Sequence, residues 1–190
     1  SRTDINTPDK QNAMYIAIQS FPASDTHPDA VALDLGNYMF GGSSLSSRLG
    51  ARVRGKEGLS YGVNSVYSPS PRDQASRFLM YAITNPKNID KVTDLMEEEL
   101  TKFANEGPSL TELTDAQRGY LEAKKVGRTE DAALAMQVIN NLNLGRDFAF
   151  DANQEEKAGK LSVDEVKDAW KKHISAKKLV IIRAGDFGKK

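Results

Sequence analysis

Cysteine is absent from the 190 residues of the sequence, and histidine occurs only twice, at His27 and His173. The absence of cysteine excludes disulfide bonds, thiolate nucleophiles, iron–sulfur clusters and cysteine-rich zinc sites. Because the two histidines are far apart in sequence, they cannot form a His-Glu-x-x-His zinc motif, which places two imidazoles on one helix face. A Ser-His-Asp triad is formally possible, but no Gly-x-Ser-x-Gly elbow accompanies it. We therefore expect two surface histidines and no metal or cofactor in this chain.

The chain also lacks an excess of charge of either sign, since 26 Lys and Arg side chains balance 26 Asp and Glu side chains. Proteins that bind nucleic acid usually carry a basic excess on one face, because neutralisation of phosphate supplies most of their affinity. No apolar run approaches the roughly 20 residues that a membrane-spanning helix needs. Neither a nucleic acid partner nor membrane insertion is therefore expected.

The sequence starts at Ser1, without a methionine or a signal peptide. This start favours a processed product or a piece of a longer protein. The compartment is not encoded in these residues.

Hydrophobic periodicity predicts more helix than strand. Alternation of apolar and polar residues predicts strands, and apolar residues repeated every three or four positions predict helices. The predicted strands cover residues 13–21, 59–68, 76–84 and 179–184, with the second and third forming a hairpin. The predicted helices cover residues 28–40, 46–54, 89–106, 114 onwards, 132–144 and 162–174. The polar stretch 147–160 is expected to hold one or two helical turns.

Several polar residues are predicted to cap these helices. Thr114 with Gln117 and Ser162 with Glu165 have the spacing of capping boxes, and Ser43 or Ser44 is expected to cap the helix at 46–54. The order of elements is not the strict alternation of a doubly wound parallel sheet. We therefore predict a single α+β domain over residues 1–190, with two layers in which helices cover one mixed or antiparallel sheet.

The segment Gly41–Ser65, which reads GGSSLSSRLGARVRGKEGLSYGVNS, is unusually rich in glycine, serine and arginine. Residues Gly50–Lys56 match the spacing of a phosphate-binding P-loop up to its lysine. However, Glu57 follows where Ser or Thr must ligate magnesium, and a carboxylate there repels phosphate. A P-loop also follows a buried strand, whereas Gly50 lies in a helical pattern. Phosphate binding is therefore disfavoured.

The same segment resembles the C-terminal, non-catalytic half-domain of the insulinase- or pitrilysin-like zinc metallopeptidases, in particular the bacterial two-domain type. The resembling motifs are Ser-x-Leu-x-Ser-Arg-Leu after the glycine pair and Arg-x-x-Glu-Gly-Leu-x-Tyr-x-Val-x-Ser. Three further motifs extend the resemblance over nearly the whole chain. They are Thr-Pro-Asp-Lys-Gln-Asn-Ala before the first strand, Asn-Pro-Lys-Asn after the hairpin and the terminal Arg-Ala-Gly-Asp.

This resemblance implies a function for the chain as half of a peptidase. In that family, two similar α+β halves close around an extended peptide, and the other half carries the zinc motif His-x-x-Glu-His. The zinc-free half supplies an arginine and a tyrosine that contact the substrate backbone, and these correspond to Arg54 and Tyr61. The implied partners are a zinc-bearing half, from the same precursor or a separate subunit, and a peptide substrate, with no activity expected from this half alone. Bacterial relatives are often periplasmic.

Arg54 and Tyr61 are accordingly expected to share one concave, accessible surface, because turns at Gly55 and Gly58 set their directions. The residue types alone leave simpler roles open, since an arginine often ends a helix for the macrodipole and a tyrosine often packs on a strand. A structural or interaction module of the same ancestry, without a substrate role, is the alternative. The presence of both residues argues against it.

Overall fold

The computed structural model describes residues 1–188 of the chain. The strands are β1 (Arg2–Asn6), β2 (Ala13–Phe21), β3 (Ser60–Ser68), β4 (Ser76–Thr84) and β5 (Val180–Gly185). The α-helices are α1 (Ala30–Asn37), α2 (Ile89–Glu106), α3 (Leu110–Gly127), α4 (Asp131–Asn143), α5 (Phe148–Lys160) and α6 (Val163–His173). Two π-helical turns (Tyr38–Gly42 and Gly50–Lys56) and three 3₁₀ turns (Ser44–Ser46, Pro86–Asn88 and Ala176–Lys178) complete the elements of the described part.

The five strands form one mixed sheet in the order β1-β5-β2-β4-β3. β1 pairs parallel with β5, and the other neighbours are antiparallel. This architecture confirms the predicted α+β class. The four predicted strands and their hairpin are also confirmed, although β3 and β5 each begin one residue later than predicted.

β1 is an edge strand that the sequence analysis missed. All five of its residues are exposed, so its sequence lacks the alternation that reveals a half-buried strand. The strand is held instead by a buried charge on its neighbour, because the guanidinium of Arg183 donates from Nε to Asp4 Oδ1 at 2.7 Å. A second guanidinium nitrogen of Arg183 donates to Asp90 on α2 at 2.6 Å, which ties the sheet edge to the helical layer.

Aromatic rings fill the core between the sheet and the helices. Trp170 on α6 is fully buried, and its ring lies 4.6 Å from that of Phe103, 5.3 Å from Phe40 and 5.4 Å from Phe78, centroid to centroid. A Cβ atom on Gly36 of α1 would lie only 2.0 Å from the Trp170 Nε1 atom. Glycine at this position therefore allows α1 and α6 to approach closely.

The other face of the sheet, called here the open face, carries apolar side chains that stay partly exposed. Met14 lies opposite Ile83, and Val66 lies opposite Leu79, so each pair projects from the same face. The apolar side chains of the open face are Met14, Ile16, Ile18, Val66, Leu79, Tyr81, Ile83, Val180 and Ile182. Alternation along β2 and β4 buries their neighbours under the helices instead.

Two helices, α3 and α5, differ from the prediction for local reasons. α3 begins at Leu110, and its capping box is Ser109 with Glu112, so the predicted box of Thr114 with Gln117 is wrong. The Thr114 hydroxyl donates to the Leu110 carbonyl at 2.9 Å, which is a bond within the helix. The stretch predicted to hold one or two turns forms one full helix, α5 (Phe148–Lys160), because Asp147 caps it and partners elsewhere in the fold hold its polar side chains.

The predicted helix at residues 46–54 is mostly the π-helical turn Gly50–Lys56. The residue that caps the start of this turn is Ser47 rather than the predicted Ser43. The Ser47 Oγ accepts a hydrogen bond from the Gly50 N–H, at 3.1 Å from the Gly50 nitrogen. The side chain of Ser44, the other predicted cap, lies outside the described part of the structure. The helix predicted at 28–40 is likewise shorter, since α1 passes into the π-helical turn at Tyr38.

Candidate functional site

Arg54 and Tyr61 lie on either side of a tight turn and face one small concavity. Arg54 is exposed in the π-helical turn Gly50–Lys56, and Tyr61 on β3 is 62% exposed. Their concavity has a volume of about 130 Å³, and Leu45, Asn64 and Tyr81 also line it. The structure therefore brings together the two residues that the family resemblance singled out.

The turn between the two residues is made by Gly58 and not by Gly55. Gly58 has a φ of +61°, in the left-handed region that glycine adopts without strain. Gly55 lies inside the π-helical turn, so it does not redirect the chain there. The Leu59 N–H donates to the Val53 carbonyl at 3.0 Å, which closes the turn on buried Val53.

A β-bulge at the start of β3 sets the direction of Tyr61. The pairing with β4 shifts register between Ser60 and Gly62, which leaves Tyr61 as the extra residue. The Ser60 hydroxyl donates to the Ile83 carbonyl at 2.7 Å and accepts from the Gly62 N–H at 3.2 Å. These bonds anchor the bulge while the Tyr61 ring projects outward.

The charges around this concavity distinguish Arg54 from the other arginines of the segment. Arg48 forms a bidentate pair with Glu112, at 2.7 and 2.9 Å. Arg52 donates to Glu57 at 2.6 Å. Arg54 has no ion pair and no side-chain hydrogen bond among residues 1–188. Its guanidinium is therefore available to an external acceptor.

The surroundings of Glu57 also decide against the P-loop alternative. Lys91 donates to Glu57 at 2.8 Å, and this bond holds the pKa of the carboxyl below its usual value. Gly50–Lys56 is a π-helical turn rather than a loop that follows a buried strand.

The two histidines are not isolated surface residues, so that prediction is wrong. Their rings lie 5.1 Å apart, centroid to centroid, and nearly perpendicular at 89°. His173 is only 8% exposed, and its Nε2 lies 2.8 Å from Asp29 Oδ2. Burial lowers the pKa of His27. A signal was present in the sequence, because His173 lies three residues after Trp170 and so falls on the buried stripe of α6.

A larger cavity of about 650 Å³ lies between α1, α3, α4 and α5. Ion pairs cross its borders, one between Arg128 and Glu155 and one between Arg146 and Asp25. None of the residues of the Arg54 concavity lines it. No helix of residues 1–188 combines the length and apolar character of a membrane span.

Residues 1–120 match the family model of the peptidase M16 inactive domain. No curated protein sequence matches the chain. The fold is similar to a peptidase M16 inactive domain from Pseudomonas fluorescens, at 26% identity and a TM-score of 0.84, over 97% of this chain and 43% of that one. A protease from Helicobacter pylori matches with a TM-score of 0.84 at 16% identity, over 96% of this chain and 43% of that one.

A third similar structure is the inactive peptidase domain of a protein assigned as a zinc protease from Bordetella parapertussis. It has 18% identity and a TM-score of 0.75, and the match covers 94% of this chain and 92% of that one. In contrast, the chain spans less than half the length of the first two relatives, 43% of each.

Proposed function

The chain belongs to the family of peptidase M16 inactive domains, and on that premise we propose that it is the non-catalytic half of a zinc metalloendopeptidase. In this proposal, residues 1–190 form one domain that binds extended peptide at Arg54 and Tyr61. A zinc-bearing half, in the same precursor or in a separate subunit, supplies the metal and closes the chamber. The chain alone has no peptidase activity.

The observation that carries the proposal is the shared concavity of Arg54 and Tyr61. Both side chains are exposed, and Arg54 is unpaired within the described residues although Arg48 and Arg52 are paired. An unpaired guanidinium and a phenol can donate hydrogen bonds to the carbonyl oxygens of a peptide. Such bonds strengthen as negative charge develops on oxygen during hydrolysis, and most of all where a closed chamber excludes water.

The open face of the sheet supports the presence of a partner. Met14 is 38% exposed, Val66 42%, Val180 47% and Ile182 40%, so apolar side chains from several strands meet water together. Contiguous apolar surface of this kind marks interaction sites in soluble proteins. Tyr81 belongs to the open face and also lines the Arg54 concavity, so a partner that covers this face would border the peptide site.

The residue types in the concavity indicate which roles this half and the zinc-bearing half have in the proposal. Its lining residues are Leu45, Gly50, Arg54, Tyr61, Gly62, Val63, Asn64 and Tyr81, which include no histidine and no carboxylate. These groups can orient a peptide and stabilise charge, but they do not ligate zinc. Hydrolysis in this proposal therefore depends on the zinc of the other half.

The test is to restore the zinc-bearing half, by fusion or by mixing, and to measure peptide hydrolysis. Arg54→Ala and Tyr61→Phe should each lower kcat/KM by roughly 10- to 100-fold, since one hydrogen bond to a charged or charge-developing group contributes about 1.5 to 3 kcal/mol. Zinc content and the melting temperature should stay unchanged, because both side chains are exposed.

The matched control is Arg118→Ala, which removes an arginine whose side chain is 76% exposed on α3. Its activity should equal that of the wild type. Full activity in both Arg54→Ala and Tyr61→Phe, with zinc intact, would instead favour a structural module that holds the catalytic half without contacting substrate.

A further inference from the structure

His27, Asp29 and His173 form a cluster of potential metal ligands away from the Arg54 concavity. His27 and Asp29 lie in the segment that leads into α1, and His173 is the last residue of α6. One ligand atom from each residue lies within 4.8 Å of the other two. We propose that these three residues bind a borderline divalent transition-metal ion such as Zn²⁺. This inference does not depend on the proposed peptidase role.

The distances are close to those of a three-ligand site. His173 Nε2 lies 2.8 Å from Asp29 Oδ2, and His27 Nδ1 lies 3.8 Å from the same oxygen. Ligand bonds of about 2.0 to 2.1 Å in a tetrahedral zinc site place neighbouring ligand atoms roughly 3.3 Å apart. Small rotations of His27 and Asp29 would therefore complete the geometry, and solvent would occupy the fourth position.

The surrounding packing fixes one ligand and leaves access to the others. The ring of His173 packs 5.3 Å from that of Phe21, and its carbonyl accepts a hydrogen bond from the Gln19 amide at 2.6 Å. The side chains of His27 and Asp29 remain 22% and 25% exposed. An ion can thus enter from solvent and meet a preformed buried imidazole.

The donor set determines the class of ion. Two imidazoles with one carboxylate favour zinc, cobalt, nickel or copper over magnesium and calcium, which prefer sites made of oxygen ligands. With three protein ligands, the site would keep an exchangeable position, unlike the closed four-ligand sites of structural zinc.

Three existing hydrogen bonds, including the one between His173 Nε2 and Asp29 Oδ2, oppose the ion and set how the site should respond to mutation. The Lys172 ammonium donates to Asp29 Oδ2 at 2.8 Å, and the Asp29 N–H donates to His27 Nδ1 at 3.0 Å. A metal bound through His27 Nδ1 needs the lone pair that now accepts this N–H. The Lys172 side chain is 61% exposed, so it can move away into solvent. Removal of its charge should therefore strengthen metal binding.

The experiment follows the two histidines directly. Because the chain has only His27 and His173, its histidine ring signals in a proton–nitrogen NMR spectrum come from these residues alone. Zn²⁺ added to the chelator-treated chain should shift both sets of ring signals together, with saturation at one equivalent. The melting temperature should rise with excess Zn²⁺ and return to its starting value when EDTA is added.

Four variants test the ligands by calorimetric titration with Zn²⁺. His27→Gln keeps an acceptor for the Asp29 N–H but lacks a metal-binding nitrogen, and it should lose more than about tenfold in affinity, as should Asp29→Asn. Lys172→Met should gain affinity severalfold, whereas Asp94→Asn, an exposed carboxylate on α2, should leave it unchanged.

Two results would overturn the site. One is the absence of ring shifts up to about 1 mM Zn²⁺, or shifts of one ring only. The other is full affinity in His27→Gln and Asp29→Asn, which would locate the ion elsewhere. Either result would leave the cluster as a hydrogen-bonded contact between α6 and the segment that leads into α1.

Discussion

Arg48→Ala should destabilise the fold far more than its position in the family motif would suggest. The guanidinium of Arg48 forms a bidentate pair with Glu112 and donates to the Gly107 carbonyl at 2.9 Å. It also lies 4.8 Å from the centre of the Phe103 ring. A single side chain therefore joins the motif to the end of α2 and the start of α3.

The magnitude follows from these contacts. Removal of Arg48 leaves the Gly107 carbonyl and the Glu112 carboxylate without this partner, and an unsatisfied buried acceptor costs about 1 to 3 kcal/mol. The cation–π contact with Phe103 adds about 0.5 to 1 kcal/mol. Because the Glu112 side chain is 36% exposed, solvent screening reduces the contribution of the ion pair. We expect a loss of about 3 kcal/mol, which lowers the melting temperature by roughly 6 to 12 °C for a domain of this size.

The loss of stability in Arg48→Ala should also depend on pH, in a direction that the pKa of Glu112 determines. The hydrogen bond from Arg48 is the main cause that lowers the pKa of Glu112 from 4.5 to about 2. A carboxyl whose pKa is depressed by folding stabilises the fold above its unfolded pKa, and this stabilisation disappears as the pH falls through the folded pKa. The difference between wild type and Arg48→Ala should therefore be full at pH 6 and shrink progressively below pH 4.5.

The assay is urea unfolding of wild type, Arg48→Ala, Glu112→Gln and the double variant at pH 7 and pH 3. The double-mutant cycle isolates the pairwise energy. Arg54→Ala is the control, and its free energy of unfolding should change by less than about 0.5 kcal/mol. A loss below about 1 kcal/mol in Arg48→Ala, or the same loss at both pH values, would refute this reasoning.

Two further predictions concern stability and use paired variants. Gly36→Ala should destabilise by roughly 3 kcal/mol or more, because its Cβ would overlap the Trp170 indole, whereas Gly127→Ala meets no atom within 4 Å and should stabilise by about 0.5 to 1 kcal/mol. Equal effects of the two in chemical unfolding would contradict the close packing of α1 on α6. Ser109→Ala should cost about 1 kcal/mol through the loss of the helix cap, while Thr114→Ala should stay within about 0.5 kcal/mol. The reverse order in thermal unfolding would move the start of α3 to Thr114.

Strands and helices whose apolar residues recur at a regular spacing were predictable from the sequence. β2 buries every second residue from Ala13 to Phe21, and α2 places its apolar residues on one stripe. The proposed peptide site could be inferred only from the family motif around Arg54 and Tyr61. An arginine often ends a helix and a tyrosine often packs on a strand. The positions of these two residues in the sequence therefore do not by themselves distinguish a functional role from these structural roles.

The remaining features depend on partners far away in the sequence. The sequence of β1 does not alternate between apolar and polar residues, and the strand is held by the ion pair with Arg183. The sequence of α5 is as polar as that of a loop, and its helix is stabilised by contacts with Arg128 and Asn141. The contact of His27 with His173 arises only after α6 has packed on α1. The position of His173 three residues after Trp170 indicated that it is buried, but no local pattern indicated its contact with His27.

The order of the strands has a consequence for how the chain folds. β5 lies between β1 and β2, yet it is the last strand in sequence, and the other two are the first. Until β5 is in place, β1 has no neighbour, and β2 presents a free edge that includes Ile16 and Ile18. Pairings across such a separation form slowly, and a free edge can recruit the wrong chain in the meantime. During synthesis on the ribosome, completion of this sheet must therefore wait for the final strand, and the exposed edge of β2 is where misassembly would begin.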